Sequence, residues 1–182
     1  DFTVDFSNGE KKVTPHTKLG EDWKITIVDT GLDAQTAARL KRIESYIQGD
    51  TFLMTYGDGV SNVDVDGLMR FHSQQGKIAT VTGVHPPARF GEIEMRNTLA
   101  VSFWEKPQLR QGYINGGFFA FHRKIFTYLR DDPTLSFEKD ILPIVVKDRE
   151  LAVFCHDGFW QCMDTVRDTE LLNEIWAAGT AP

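Results

Sequence analysis

A mixed α/β domain organised as a right-handed βαβ sheet with covered faces is the fold class this sequence predicts. Three observations predict it. Strand-like and helix-like patterns alternate from residue 23 to residue 84, the rhythm of a βαβ sheet. Thr51–Tyr56 is a continuous apolar run and Ile78–Val84 also reads as buried, as expected for strands covered on both faces. Finally, the chain has 182 residues, 41% of them hydrophobic, with thirteen Phe and four Trp. A domain of that size buries roughly 70% of its unfolded surface and folds without disulfides or a structural metal.

The elements follow in order. Phe2 to Phe6 alternates apolar and polar residues and is predicted as a strand, with Ser7-Asn8-Gly9-Glu10 as its turn. The first residue is Asp rather than Met, and a chain that opens inside a strand is expected to have lost sequence in front of it. Trp23 to Asp29 is predicted as a second strand, closed by Thr30-Gly31. Residues 33 to 48 are predicted as a helix, with Ala34, Ala37, Leu40, Ile43 and Ile47 on one face and Asp33 as candidate N-cap. Thr51 to Tyr56 is a buried strand running into Gly57-Asp58-Gly59; a helix over 65–75 and a strand from Ile78 to Val84 follow. After Pro86-Pro87 the rhythm changes. Gly91 to Met95 and Leu99 to Trp104 are predicted as a hairpin about Arg96-Asn97, and Tyr113 to Phe121 as a strand containing Gly116-Gly117. Helices are predicted near 124–130, 137–147 and 167–177, and strands at Leu151–Phe154 and Phe159–Gln161. No repeat or long linker divides the chain, so residues 1–182 are expected to form a single domain.

Composition narrows the function. A formal net charge of -6 argues against a nucleic-acid partner, because phosphate contacts require Lys and Arg in excess. No apolar run approaches the roughly 20 residues of a membrane span. Two cysteines suit a reducing compartment. The expectation is a cytoplasmic protein with neither a nucleic-acid nor a membrane partner. No Gly-x-Ser-x-Gly, His-Glu-x-x-His or Walker Gly-Lys-Thr occurs, so the hydrolase-elbow, zincin and P-loop readings lack their loops.

Asp58 is the first candidate for chemistry. It directly follows an apolar strand, where ligands bind in open α/β sheets, and glycines flank it. Such a carboxylate can hold Mg²⁺ against phosphate oxygens; Gly-Asp-Gly is equally good turn chemistry. Asp164 stands between a strand and the last helix, where an N-cap is the simplest role, and it gains functional weight only as a partner of Asp58. Asp64-Val65-Asp66 matches the Asp-x-Asp of metal-dependent glycosyltransferases, yet it opens a helix, so capping and dipole-favouring acids explain it. In Glu105-Lys106-Pro107, Lys106 could meet a sugar phosphate and Glu105 could accept sugar hydroxyls; a solvated pair is the alternative. Gly116-Gly117, following Asn115, mark a bulge or a close ligand approach. Arg39 and Lys41 could contact phosphate or base, or be solvated helix charges. Cys155, His156 and Cys162 have a spacing that fits no standard zinc site and are expected to be plain packing residues.

Taken together in this order, Val28-Asp29-Thr30-Gly31, Arg39-Leu40-Lys41-Arg42, Thr55-Tyr56-Gly57-Asp58-Gly59-Val60, Pro86 to Gly91, Glu105-Lys106-Pro107, Ile114 to Phe119 and Gly158 to Thr165 resemble the sugar-phosphate nucleotidylyltransferase family, most of all its cytidylyltransferase branch. The resemblance covers nearly the whole chain. It implies a Rossmann-like nucleotide-diphospho-sugar transferase fold, a mixed and mostly parallel sheet with helices on both faces. It implies the partners CTP and glucose 1-phosphate, converted to CDP-glucose and pyrophosphate on the route to dideoxy sugars of surface polysaccharide, and a homo-oligomer at full length. By this likeness Asp58 and Asp164 are Mg²⁺ ligands and Lys106 is the third catalytic residue. Arg39, Gly57 and Thr36 belong to the nucleotide site, and Gly91, Glu105, Lys106 and Asn115 hold the sugar phosphate. The family opens with a strand, a Gly-rich loop and a Pro-Lys-Pro that this sequence lacks, so a fragment is expected, inactive on its own. Two other readings remain open: a metal-dependent glycosyltransferase of related fold using Asp64 and Asp66, and a non-catalytic sugar-nucleotide-binding or assembly module.

Overall fold

The computed structural model describes residues 2–5, 7, 12–16, 23–86, 92–104 and 112–182. Strands β1 (Phe2–Asp5) and β2 (Lys12–Pro15) pair as an antiparallel hairpin. The expected strand over Trp23–Asp29 is instead without regular structure, and Trp23, Ile25 and Ile27 are exposed. Alternation alone does not make a strand. Its backbone N–H and C=O groups need a ladder partner, and among the described residues these have none.

Helix α1 (Thr36–Arg42) is shorter than the predicted 33–48 and is capped by neither Asp33 nor any other side chain. The chain around Pro133 and Leu135 does that work. Gln35 N–H donates to the Pro133 carbonyl at 2.8 Å and Ala37 N–H to the Leu135 carbonyl at 3.3 Å. Beyond Arg42 the helix tightens into a 3₁₀ turn at Glu44–Tyr46, where the Arg123 guanidinium takes the carbonyls of Glu44 and Ile47. Ile43 and Ile47 still pack against the core, which is why the helical period extended past the helix itself.

The main sheet contains β3 (Thr51–Thr55), β8 (Ile114–His122), β5 (Ala79–Val84) and β9 (Leu151–His156), in that spatial order. Helix α2 (Val65–Gln75) connects β3 to β5. Strands β3, β5 and β9 share one direction, as expected of a mostly parallel sheet. Its hydrogen-bonded pairs nevertheless differ from that expectation, because β8 runs antiparallel between β3 and β5 and only β5–β9 is a parallel pair. The route from β5 to β8 passes through the hairpin of β6 (Glu92–Arg96) and β7 (Leu99–Trp104) rather than a crossover helix, so β8 returns reversed. A further strand, β4 (Gly59–Ser61), was not expected; it pairs antiparallel with β10 (Trp160–Cys162).

Helices cover both faces. On one face Phe119 and Phe121 of β8 meet Ala79 and Val81 of β5, Ala37 and Leu40 of α1, and Phe137, Ile141 and Val145. Phe121 lies 5.3 Å from the Phe119 ring and meets Phe137 edge-on at 5.5 Å. On the other face His72 of α2 hydrogen-bonds Thr80 at 2.8 Å, and Phe71 packs on Phe154. The predicted helix over 137–147 begins as a π-helical turn, Phe137–Ile141, before α3 (Leu142–Lys147). Pro143 explains it: a proline cannot donate to the carbonyl four residues back, so the preceding turn widens. The 124–130 segment is a 3₁₀ helix, Arg123–Tyr128, capped by the His122 ring. The last helix, α4 (Val166–Ala177), matches its expectation.

Because Phe121 is fully buried among the rings of Phe52, Phe119 and Phe137, Phe121→Ala should cost about 3–5 kcal/mol in urea unfolding. A loss below about 1 kcal/mol would place the core elsewhere.

Candidate active site

The carboxyl end of β3 runs into Tyr56-Gly57-Asp58 and then directly into β4. In the β4–β10 ladder Cys162 stands opposite Gly59. One step further, Met163 N–H donates to the Asp58 carbonyl at 2.8 Å. Asp58 and Asp164 therefore lie one residue out of register across the same ladder end, although 106 positions apart in sequence. Both are exposed. Asp164 is also released from capping: Thr165 is the N-cap of α4, accepting from Asp168 N–H, while the Asp168 carboxylate takes the Thr165 N–H at 3.0 Å. Burial, reinforced by the neighbouring Asp164 carboxylate, pushes the Cys162 thiol above its usual pKa.

Opposite this pair stands the bulge of β8. The register slips between Val81 and Gly83 of β5 as β8 passes from Phe119 to Asn115, so Gly116-Gly117 do mark a bulge. Gly117 sits at φ +78°, and a Cβ there would lie 2.9 Å from the Tyr56 ring. Tyr56 N–H donates to the Gly117 carbonyl at 3.0 Å, and Trp160 Nε1–H holds the Gly116 carbonyl at 2.8 Å. The bulge thereby joins β10 and the Asp58 loop to Asn115.

Behind the loop lies a network that sequence reasoning did not find. The Glu138 carboxylate accepts from the Tyr56 hydroxyl on Oε1, and from the hydroxyls of Thr36 and Ser136 on Oε2, each at 2.9 Å. Burial and the Glu138 hydrogen bond push the Tyr56 phenol well above its ordinary pKa. Burial alone would raise Glu138, but its hydroxyl and backbone donors, led by Tyr56, outweigh it and leave the carboxyl below the usual range.

The other anticipated residues are distributed unevenly. Thr36 uses its hydroxyl inside the chain, donating to Glu138 and accepting from Phe137 N–H at 2.9 Å. Arg39 ties down the loop before α1, donating to Thr30 Oγ1 and the Leu32 carbonyl at 2.9 Å each. Gly57 and Asn115 are exposed beside the ladder end. Gly91, Glu105 and Lys106 lie outside the described residues. Asp64 caps α2, accepting from Gly67 N–H at 2.9 Å, and also meets Arg70. His156 is held by Ser61 and the Phe159 carbonyl.

No family model matches the chain. Individual relatives do. The chain is 41% identical over 180 residues to the glucose-1-phosphate cytidylyltransferase of Salmonella typhimurium, covering 98% of this chain and 70% of that protein. The chain belongs to the glucose-1-phosphate cytidylyltransferase family. It is also 40% identical over 178 residues to a probable glucose-1-phosphate cytidylyltransferase of Bacillus subtilis, covering 98% and 68% respectively. A crystal structure of a putative glucose-1-phosphate thymidylyltransferase from Bacillus anthracis superposes with a TM-score of 0.58 at 22% identity, covering 78% of this chain and 61% of that one. The chain therefore has the nucleotide-diphospho-sugar transferase fold, and the expected α/β class stands.

The lowered Glu138 pKa carries a pH signature. In the window below about pH 4.3 the unfolded chain binds a proton that the native carboxylate resists, so stability rises with pH there. It is lost as pH falls through the native pKa. Glu138→Gln should flatten this acid limb in urea unfolding between about pH 3 and about pH 6. An acid limb as steep as that of the wild type would show that the hydroxyl donors do not stabilise the carboxylate.

Proposed function

We propose that this site transfers a cytidylyl group from CTP to α-D-glucose 1-phosphate, releasing pyrophosphate and giving CDP-glucose. The observation that carries the reading is the placement of Asp58 and Asp164 at one ladder end, in a chain of the glucose-1-phosphate cytidylyltransferase family.

The two carboxylates suit a hard divalent cation, Mg²⁺ in this reading. Both are exposed, and among the described residues neither is paired with a Lys or Arg. A bound cation would supply charge neutralisation on the phosphates. The chain's own residues do the rest by positioning. Asp58 is held by the ladder through its carbonyl, which leaves its carboxylate free to face the ligand. Asn115 contacts the sugar, together with Gly91 and Glu105, and Lys106 holds the incoming phosphate. Gly57 leaves room for the nucleotide. Thr36 and Arg39 act on that side by shaping the start of α1, since both are engaged within the chain. The nucleophile is a phosphate oxygen that is already anionic, so no general base is required. The protein works in the cytoplasm as a homo-oligomer in this reading. No described helix is long and apolar enough to cross a membrane. The glycosyltransferase reading loses support, because the Asp64 carboxylate is engaged by Gly67 and Arg70 at the start of α2.

The test is pyrophosphate release by the natural full-length protein with CTP, UTP or dTTP and glucose 1-phosphate. CTP should be preferred, and the sugar product should be CDP-glucose. Asp58→Asn and Asp164→Asn should each lower turnover by roughly a hundredfold or more with thermal stability retained. Near-normal turnover in either variant, or a preference for UTP or dTTP, would overturn the corresponding part of the proposal.

A further inference from the structure

The Glu138 network does more than fill space, because with the Gly117 N–H it sets which hydrogen-bonding group Asn115 presents. The proton of the Tyr56 hydroxyl is committed to Glu138 Oε1. The Tyr56 oxygen is therefore left as an acceptor, and Asn115 Nδ2 donates to it at 3.4 Å. The other end of the amide is fixed as well: Gly117 N–H donates to Asn115 Oδ1 at 2.9 Å. Together these contacts orient the side chain, with its oxygen toward the bulge and its nitrogen toward Tyr56. One of the two Nδ2 hydrogens meets Tyr56, and among the described residues the second has no partner on this exposed side chain. Asn115 is thus set as an N–H donor. Were Tyr56 free to turn its hydroxyl toward Asn115, it would set a donor against Nδ2, and only the Gly117 N–H would still hold the amide.

We propose that Glu138 is a positioning residue: through the Tyr56 hydroxyl it holds the Asn115 amide as an N–H donor to a hydroxyl oxygen of the sugar phosphate. This rests on the reading above that Asn115 faces the sugar. Glu138 does not touch the substrate. Its carboxylate suits the role because it accepts three hydroxyl protons, from Tyr56, Thr36 and Ser136, without offering one in return. A glutamine could take over much of this, its carbonyl accepting from Tyr56 and its amide donating to the Thr36 or Ser136 oxygen. An alanine could not.

The experiment compares Glu138→Ala, Glu138→Gln and Tyr56→Phe in the natural full-length protein. Tyr56→Phe should raise KM for glucose 1-phosphate by roughly tenfold, with KM for CTP and kcat within about threefold of wild type, and Glu138→Ala, which also frees Thr36, should raise KM for glucose 1-phosphate at least as much. Glu138→Gln should restore KM for glucose 1-phosphate to within about threefold. Should Glu138→Ala fail to fold, Tyr56→Phe carries the same expectation, since it removes a single hydroxyl. A merely structural role would raise both KM values alike, or neither, and would overturn the proposal. A second readout needs no turnover. The side-chain amide resonances of Asn115 should move in Glu138→Ala and Tyr56→Phe and return in Glu138→Gln; unmoved resonances would refute the positioning role. A wild-type protein that makes no CDP-glucose would instead sink the functional reading, and the resonances would still decide the role of Glu138.

Discussion

The hydrogen bond from Met163 N–H to the Asp58 carbonyl, 2.8 Å long, is the constraint on which the rest of the site depends. It extends the β4–β10 ladder by one step and so places the last strand of the chain beside the loop that leaves β3. Without that ladder Asp58 would be an ordinary turn residue and Asp164 an ordinary residue before a helix. With it, two exposed carboxylates share one edge of the site. Main-chain pairing is a suitable device here, because it fixes the positions of both side chains while using none of their polar atoms. The capping box of Thr165 and Asp168 serves the same end, relieving Asp164 of the duty its position would otherwise give it.

A second constraint runs through β8. The strand buries Phe119 and Phe121 at its centre and carries Asn115 at its start, so the packing that stabilises the sheet also aims the site. The Gly116-Gly117 bulge lies between the two functions. It lets the backbone turn where side chains would collide, with Val84 and the Thr82 carbonyl at Gly116 and with the Tyr56 ring at Gly117. Behind it, Glu138 gathers the hydroxyls of Tyr56, of Thr36 in α1 and of Ser136, tying the loop after β3 to the start of α1. A half-buried carboxylate with several donors is strongly held, and a charged acceptor strengthens each bond it receives.

Much of the fold was legible in the sequence, where the signal was local. Helix α2 was readable from its period and from Asp64, whose capping role the structure bears out; β5 was readable from its short β-branched run, and the glycine pair from its place inside a strand. Less legible was whatever depended on distant backbone. Trp23 to Asp29 has the composition of a strand but no ladder partner among the described residues, and α1 is capped by carbonyls nearly a hundred positions away. At the site, Asp58 and Asp164 could be named from residue type and motif, while their pairing followed only from the family resemblance; spacing could not show it, because it rests on the three-residue strand β4. Tyr56 and Glu138 went unnoticed for a similar reason. Each looked like an ordinary member of its own element, a strand end and an acid in a first helical turn, and only their contact gives them a shared role.

The central claim is that Asp58 and Asp164 act as one cation-binding pair. Anomalous diffraction from crystals of the natural full-length protein grown with Mn²⁺ and CDP-glucose tests it directly. The account predicts a peak about 2.1–2.2 Å from a carboxylate oxygen of each residue and against the product phosphates. A peak held by only one of them, or lying at Asp64 and Asp66, would contradict it.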